Sequence, residues 1–374
     1  MIPSPLQEAL RLVGSGQNLS ATQCGDAVAA ILRGDAEPAA IGAFLTALHF
    51  KGISADELSG ALTAVIDRSE AFPIPNTLRP VLDTCGTGGD GANSVNISTA
   101  AAIVVAACGV RVAKHGNRSA SGNSGSAEVL AELGVKFDAE PPILLRCLEE
   151  VGITFLFAPR FHPALKGLAP IRKALPHRTI FNAIGPLVNP VRPDAQVVGV
   201  AGRAQALLLS SVLRRTSTGP QVAEHARRHE LEKQSSTDFF WVDNVAASDF
   251  RSFVVSGEDG LDEVTLAGAT TVFATVGPTR SEHAWRPCDF GLPTIAATEL
   301  VVTGPADSSV KILDMLAGGR GPVRDVVLAN SAAALMLVGK VDNLLEGVAR
   351  AAESIDRGDA ARLLDRWAKL SHSR

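Results

Sequence analysis

Two short segments concentrate residue types that hold anions. The first, Gly86-Thr87-Gly88-Gly89-Asp90-Gly91, follows the apolar run Val81-Leu82-Asp83 and precedes Asn96-Ile97-Ser98-Thr99. Glycines bring backbone N–H groups close to phosphate oxygens without a Cβ in the way, and a helix starting near Ser98 adds unpaired N–H groups and a positive dipole end. A plain tight turn with Ser98 or Thr99 as helix cap is the alternative. The density of glycine beside Asn, Ser and Thr favours a phosphate cradle. Gly86, Gly88 and Gly91 also fit G-x-G-x-x-G. That dinucleotide fingerprint needs its helix to open on the third glycine and an acid about 20 residues on. Here the helix is expected only near Ser98, and Cys108 to Val112 holds no acid. A Walker loop is excluded as well, because no Gly-Lys-Ser/Thr follows.

The second segment is Lys114-His115-Gly116-Asn117-Arg118-Ser119-Ala120-Ser121-Gly122, with Gly125-Ser126 ahead of the next expected helix. It offers two fixed cations, two hydroxyls and two glycines. Alone it reads equally well as a solvated polar loop. Two such loops after neighbouring parallel strands share the edge where α/β proteins bind ligands, and together they point to a ligand with two phosphate groups. His115 has no nucleophile beside it and reads as structural. From the residues alone, Asp262-Glu263 is a solvated acidic turn next to Glu258-Asp259, and Arg172 is an exposed helical arginine next to Lys173.

The elements that must position these residues follow from periodicity. Residues 5–70 read as helices, with Leu6, Leu10 and Val13, then Ile31, Ile41, Phe44 and Leu45, at helical spacing; Ser54 with Glu57 is a capping box for a helix through Val65. Pro73 to Pro80 forms a stiff connector. Beyond it, strands are expected at Val81-Leu82-Asp83, Val110–Ala113, Ile153–Phe157 and Gln196–Ala201. Helices are expected over about Ser98–Cys108, Ser126–Leu133 and His162–Leu175, and Lys114–Gly125 is expected to be loop. Alternating strands and helices imply a mostly parallel sheet. Pro186, Pro190 and Pro193 mark a second connector. The fold class is therefore α/β: a small all-helical domain over 1–75, completed by about 162–190, and a large α/β domain over 76–161 and 191–374. Residues 203–250, rich in Arg, Ser and His, read as the least regular part.

Composition narrows the functional classes. With 374 residues, 46% apolar and 20% charged, the chain has the make-up of a globular protein. Its net charge of −4 offers no basic balance for nucleic acid. Five scattered cysteines without C-x-x-C indicate neither a disulfide framework nor a zinc site, and a reducing, cytoplasmic setting is expected. Met1-Ile2-Pro3-Ser4 has no charged n-region, so no signal peptide is expected, and the longest apolar runs are too short to span a bilayer.

Taken together, these segments and several later ones resemble the anthranilate phosphoribosyltransferase family. The resemblance is carried by Gly86-Thr87-Gly88-Gly89-Asp90, Asn96-Ile97-Ser98-Thr99, Lys114-His115-Gly116-Asn117-Arg118, Arg178-Thr179-Ile180-Phe181-Asn182, Gly185-Pro186-Leu187-Val188-Asn189-Pro190, Gly260-Leu261-Asp262-Glu263 and Arg320-Gly321-Pro322. These long motifs run in order through nearly the whole chain. The resemblance implies the nucleoside phosphorylase/phosphoribosyltransferase fold with a helical N-terminal lobe, a homodimer through that lobe, and Mg²⁺-dependent transfer of the phosphoribosyl group of PRPP to anthranilate in tryptophan biosynthesis. It puts PRPP against Gly86, Gly89, Asp90, Ser94, Asn96, Ile97, Ser98, Thr99, Lys114, His115, Gly116, Asn117, Arg118, Ser119, Ala120, Ser121, Gly122 and Ser126. Anthranilate falls to Gly86, Asn117 and Arg172, and Mg²⁺ to Ser98, Asp262 and Glu263. Lys114, Asn117 and Arg172 are the implied catalytic residues. No nucleic acid and no membrane are implied as partners.

Three positions depart from the family pattern. Gly122 stands where many members have serine, Glu128 replaces an aspartate after Gly-Ser-Ala, and Arg214–Asp249 is longer than in relatives. That stretch contains His225-Ala226-Arg227-Arg228-His229, which lacks the glutamate of a zinc motif and reads as a solvated basic helix or an insertion. A pyrimidine nucleoside phosphorylase and a non-enzymatic nucleic-acid-binding relative of the same fold are the rival readings. The Lys-His-Gly-Asn run and Asp262-Glu263 speak against the first, and the acidic balance against the second.

Overall fold

The structure, a computed structural model, describes residues 4–119, 124–218, 250–277 and 279–373, with backbone alone for 216–218. Ala120, Ser121 and Gly122 of the second cradle lie outside the described residues, as do His225–His229 and most of the long stretch before β5. No helix of the described residues is long and apolar enough to cross a membrane.

Four helices open the chain: α1 (Pro5–Gly14), α2 (Ala21–Arg33), α3 (Pro38–Lys51) and α4 (Ala55–Ile66). Ser4 with Gln7, Ser20 with Gln23 and Ser54 with Glu57 form reciprocal capping boxes at three of their starts. Glu57 is fully buried, and its carboxylate also accepts from Leu19 N and Lys51 Nζ, each at 2.9 Å. A buried charge needs that full complement of donors.

The remainder alternates. β1 (Val81–Gly86), α5 (Ile97–Ala107), β2 (Arg111–Gly116), α6 (Ser126–Glu132), α7 (Pro141–Arg146), β3 (Ile153–Phe157) and α8 (Ala158–Phe161) lead to α9 (Ala169–Ala174) and α10 (Ile180–Ile184). After these come β4 (Ala195–Gly199), α11 (Arg203–Thr218), β5 (Arg251–Gly257), β6 (Thr270–Val276), β7 (Thr279–Trp285), α12 (Pro305–Leu316), α13 (Pro322–Leu337), α14 (Leu344–Asp356) and α15 (Asp359–Ser371). The sheet has strand order β3-β2-β1-β4-β5-β6-β7; the first five are parallel, and β6 and β7 add an antiparallel hairpin. The expected mostly parallel sheet beside a helical lobe is thus present.

Side chains alternate between the two faces of the strands. Leu82, Val112, Val197, Phe253 and Val255 join a core built on α5 and the C-terminal helices, and α5 is buried nearly all round. A helix apolar on every side belongs in a core. Cys85, Val198, Val254 and Phe273 join the opposite core, which runs through α10 and α11 into α2, α3 and α4.

Two segments depart from the sequence expectation. β2 continues through Gly116, so Lys114 and His115 are strand residues and not loop; the reason is parallel pairing with β3 as far as Gly116 opposite Phe157. Arg203–Thr218 is a regular helix, not an irregular stretch. Its apolar residues Ala206, Leu209, Val212 and Leu213 do have helical spacing and are buried, but the polar composition of the longer stretch masks it.

Candidate active site

Strand register sets the site. Gly86 at the end of β1 lies opposite Gly199 at the end of β4, and Gly199 opposite Val255 of β5. β2 and β3 lie on one side of β1, β4 and β5 on the other. The chain reverses its direction of winding there, which opens a crevice at the carboxyl ends of the strands. Both cradles leave the sheet at this edge.

The glycine loop has a defined shape. Gly88, Gly89 and Gly91 have φ of +61°, +71° and +77°, the left-handed region that glycine reaches without strain. Gly88 N donates to Asp262 Oδ2 at 2.7 Å, and Thr87 N to Gly199 O at 2.9 Å. On the other side of the loop, Arg178 binds three of its carbonyls. Arg178 Nη1 donates to the oxygens of Gly88 and Gly89, the latter at 3.0 Å, and Nη2 to Thr87 O at 3.1 Å. The N–H groups of Gly89, Asp90 and Gly91 find no acceptor among the described residues. Asn93 to Val95 are tied down through Val302 N to Asn93 O and Val95 N to Leu300 O, both 2.8 Å, with Ser94 bridged to Val301.

Asp262 and Glu263 come back beneath this loop from far along the chain. An ideal Cβ on Gly199 would sit 1.6 Å from Asp262 O, and one on Gly86 would sit 2.8 Å from Asp262 Oδ2. Glycine at both strand ends is what lets the acidic segment approach. Glu263 is 9% exposed and accepts from Ser98 N at 3.0 Å. Glu258 and Asp259, by contrast, are exposed. The solvated-turn reading of Asp262-Glu263 is therefore corrected: tertiary packing buries Glu263 and half-buries Asp262. Burial pushes the Asp262 carboxyl well above its ordinary range, and the charges of Glu263 and Asp90 push it further. Burial raises Glu263 to about 7, against the opposing pull of Lys114 and Ser98.

Lys114 is 2% exposed; its ammonium donates to Thr84 O and, at 3.2 Å, to Ser98 Oγ. It links the strand ends to the start of α5. Below it, buried Asp83 accepts from His115 N at 3.1 Å, Asn189 Nδ2 at 2.9 Å and Gln196 Nε2 at 3.4 Å. Ser98, Asp262 and Glu263, expected to share a metal, are brought together. They supply hard oxygen donors, and among the described residues no three His, Cys, Asp or Glu side chains converge into a closed cage. An open set of few oxygens suits Mg²⁺, which keeps water and substrate phosphate in the rest of its shell, and would relieve the repulsion between these buried carboxylates. The residues fit such an ion.

Sequence reasoning missed Asn330 on α13. Its side chain is buried and grips the backbone just after the acid pair: Val264 N donates to Oδ1 at 3.0 Å, and Nδ2 donates to Val264 O and Val326 O, each at 2.9 Å. The signal that marks Asn330 is an amide side chain amid the apolar run Val326–Leu337, interrupted otherwise only by Ser331. Arg178 stands inside a sequence motif, but nothing around it in sequence points to the loop it binds.

The second cradle begins where β2 ends. Asn117 is exposed, its Oδ1 accepting from Arg118 N at 2.7 Å and its carbonyl from Ser126 Oγ at 3.2 Å. The Arg118 guanidinium lies 5.2 Å from the Phe137 ring centroid. Glu128 accepts from Ser119 N at 3.0 Å and Gly125 N at 2.9 Å, so it closes the ends of the loop. Asn96 Oδ1 accepts from Ser124 Oγ at 2.7 Å and Ser308 Oγ at 3.0 Å, which joins the two cradles. Ile97 and Thr99 are buried at the start of α5, and Thr99 Oγ1 has no partner among the described residues.

His115 is engaged elsewhere. Its Nδ1 meets Gly185 O at 3.2 Å, its Nε2 faces His162 Nε2 at 3.2 Å, and His162 Nδ1 meets Ser69 Oγ at 2.7 Å. Two facing ring nitrogens hold one proton between them. Burial, then the neighbouring His162, lowers His115 to about 3; burial lowers His162 to about 4.

Arg172 on α9 is half-buried, unlike exposed Lys173, which corrects the exposed-arginine reading. Its guanidinium lies 6.0 Å from the Phe181 ring centroid, has no ion-pair or hydrogen-bond partner among the described residues, and is desolvated enough to lower its pKa. Among the described residues no hydrogen bond or ion pair joins it to either cradle.

The sequence matches the glycosyl transferase family, helical bundle domain, over residues 7–69, and the glycosyl transferase family, a/b domain, over 78–233 and 242–361. Anthranilate phosphoribosyltransferase 2 of Streptomyces coelicolor is 41% identical over 95% of this chain and 96% of its own. The anthranilate phosphoribosyltransferase of Anaeromyxobacter sp. (strain K) is 43% identical over 95% of each. Among solved structures, the Thermus thermophilus enzyme of that name superimposes with a TM-score of 0.84 at 32% identity, over 99% of this chain and 100% of that one. The Saccharomyces cerevisiae enzyme in complex with PRPP and Mg does so with a TM-score of 0.82 at 27% identity, over 99% and 98%.

Proposed function

The chain belongs to the anthranilate phosphoribosyltransferase family, and we propose that it transfers the 5-phosphoribosyl group of PRPP to anthranilate, giving N-(5-phosphoribosyl)anthranilate and diphosphate, in tryptophan biosynthesis. The observation that carries this reading is the Asp262-Glu263 pair folded against the glycine loop and the start of α5 at the reversal point of the sheet. That combination suits a diphosphate held with a divalent ion, as PRPP requires. A yeast relative has been solved with PRPP and Mg.

The amides of Gly89, Asp90 and Gly91, Asn96 and the start of α5 receive the anionic groups of PRPP, together with Asn117 to Gly122 and Ser126. Ser98, Asp262 and Glu263 would hold Mg²⁺, which supplies charge neutralisation of the departing diphosphate. Lys114 adds a fixed positive charge under that site and keeps Ser98 and Glu263 in place. Arg172, half-buried and unpaired among the described residues, takes the anthranilate carboxylate, and Asn117 with Gly86 orients the ring. As the C1–O bond to diphosphate breaks, the amine attacks C1 from the opposite face, and its surplus proton leaves to water. Positioning supplies much of the rate. No general base is required; neutral, mutually engaged His115 and His162 are not suited to that role.

The same reading makes the chain a cytoplasmic homodimer, joined through its helical lobe, with neither nucleic acid nor membrane as partner. Phe50, 79% exposed on α3, supports an apolar contact there. Anthranilate fluorescence followed with PRPP and Mg²⁺, with and without EDTA, tests the assignment. The expected result is loss of fluorescence that EDTA abolishes. No loss under any condition overturns it, and phosphorolysis of thymidine or uridine in its place would install the phosphorylase reading.

A further inference from the structure

We infer that Arg178 is a positioning residue that latches the glycine loop to the segment carrying Arg172, so that the phosphoribosyl donor and the aromatic acceptor are bound as one coupled unit. This rests on the proposed phosphoribosyl transfer. Arg178 lies between α9, which carries Arg172, and α10, whose Ile180, Phe181 and Ile184 are packed in the core shared with the N-terminal helices. From there its fork crosses to the other side of the crevice and takes the carbonyls of Thr87, Gly88 and Gly89.

The three bonds have a consequence for the loop's electrostatics. A loop of left-handed glycines has no side chains to fix it, and its carbonyls would repel a diphosphate if they turned towards it. Arg178 takes up three of these carbonyls, while the N–H groups of Gly89, Asp90 and Gly91 remain donors without an acceptor among the described residues. On the opposite side of the loop, Asp262 holds Gly88 N. The loop is thus clamped from its carbonyl side by the acceptor segment and from its N–H side by the acidic pair. The guanidinium is desolvated, and the nearby charges of Asp262 and Asp90 favour keeping it ionised. A planar fork reaches the three carbonyls from two separate nitrogens, whereas an ammonium would have to reach all three from one.

Linkage follows from the geometry. Anthranilate bound at Arg172 orders the segment on which Arg178 stands, and an ordered Arg178 presents the loop amides to PRPP; by reciprocity each substrate tightens the other. The experiment compares the full-length wild type with R178M, R178K and R178A. Steady-state kinetics are run over a grid of both substrates, and thermal unfolding is measured on each protein. Wild type is expected to show an anthranilate KM that falls as PRPP is raised. R178M is expected to raise the PRPP KM roughly 10- to 100-fold, in line with loss of charge-assisted hydrogen bonds, and to lose that dependence, with an unchanged unfolding midpoint. R178K is expected to resemble R178M despite its charge, and added ethylguanidinium is expected to restore part of the PRPP affinity to R178A. A wild-type PRPP KM in R178M overturns the latch. So does a parallel weakening of both substrates with a lowered midpoint in R178K, which marks a folding role. A wild type that consumes no anthranilate fails the functional reading instead. The latch is then read from inorganic diphosphate binding, which R178M must weaken.

Discussion

Replacing Asn330 by alanine tests whether the acidic pair is held by the core or by its own loop. The side chain is the partner of both Val264 N and Val264 O, and Val264 is fully buried. Removing it leaves a buried N–H and a buried C=O without partners, at about 1–3 kcal/mol each. The variant should lose about 2–6 kcal/mol, a large share of the roughly 5–15 kcal/mol that stabilises a typical domain. Val264 directly follows Glu263. Freeing one backbone residue there adds an ordering cost of about 1–2 kcal/mol to metal binding, which corresponds to roughly 5- to 30-fold weaker affinity. Urea unfolding in EDTA measures the first quantity; Mn²⁺ binding by electron paramagnetic resonance, and the Mg²⁺ dependence of turnover, measure the second. An N330A protein with stability within about 0.5 kcal/mol of wild type and an unchanged metal titration would refute the reasoning, because the pair would then be held by Gly88, Ser98 and its close packing on Gly86 and Gly199.

Other expectations address separate parts of the site. Lys114→Ala should lower kcat about 10²- to 10³-fold, the usual cost of removing one preorganised charge-stabilising donor, with folding checked by circular dichroism; wild-type turnover would end the assigned role. Arg172→Ala should raise the anthranilate KM about 10- to 100-fold through loss of a charge-assisted bond, with the PRPP KM little changed in the same assay. An equal rise in both would mean that Arg172 acts on the lobe as a whole. His115 and His162 set a pH dependence. Their folded pKa values, about 3 and about 4, lie below that of the unfolded chain. The unfolded state therefore takes up protons first, and stability that is complete above about pH 6.5 is lost as pH falls towards those values. At pH 5 each histidine should cost about 1–2 kcal/mol relative to pH 7. Urea unfolding at the two pH values, with H162Q expected to show the smaller difference, checks this; a flat wild-type profile would contradict it.

Much of the scaffold was legible locally. Capping boxes at Ser4, Ser20 and Ser54, the apolar spacing of the N-terminal helices and the strand–helix alternation all act over a few residues, where side-chain type decides backbone preference. Both proposed anion cradles were named from sequence for the same reason: glycine, hydroxyl and cationic residues close together can bind an anion wherever they lie. The end of β2 escapes a local reading because its pairing with β3, not the propensity of Lys114-His115-Gly116, extends the strand. The helix Arg203–Thr218 is hidden by the polar composition of the stretch it opens.

The features proposed to serve metal and acceptor needed the folded chain. Asp262 reaches Gly88 across 174 positions and Glu263 reaches Ser98 across 165. No local pattern could separate this pair from exposed Glu258-Asp259. Arg178 and Asn330 show the same limit, since each acts on backbone groups remote in sequence. The amino-acid sequence by itself determined which segments can form helices, strands and anion-binding turns, because those are short-range preferences. Which acids are buried, what surrounds Arg172 and which loop is clamped were decided only by tertiary packing, because burial and hydrogen-bond satisfaction depend on what the rest of the chain brings alongside.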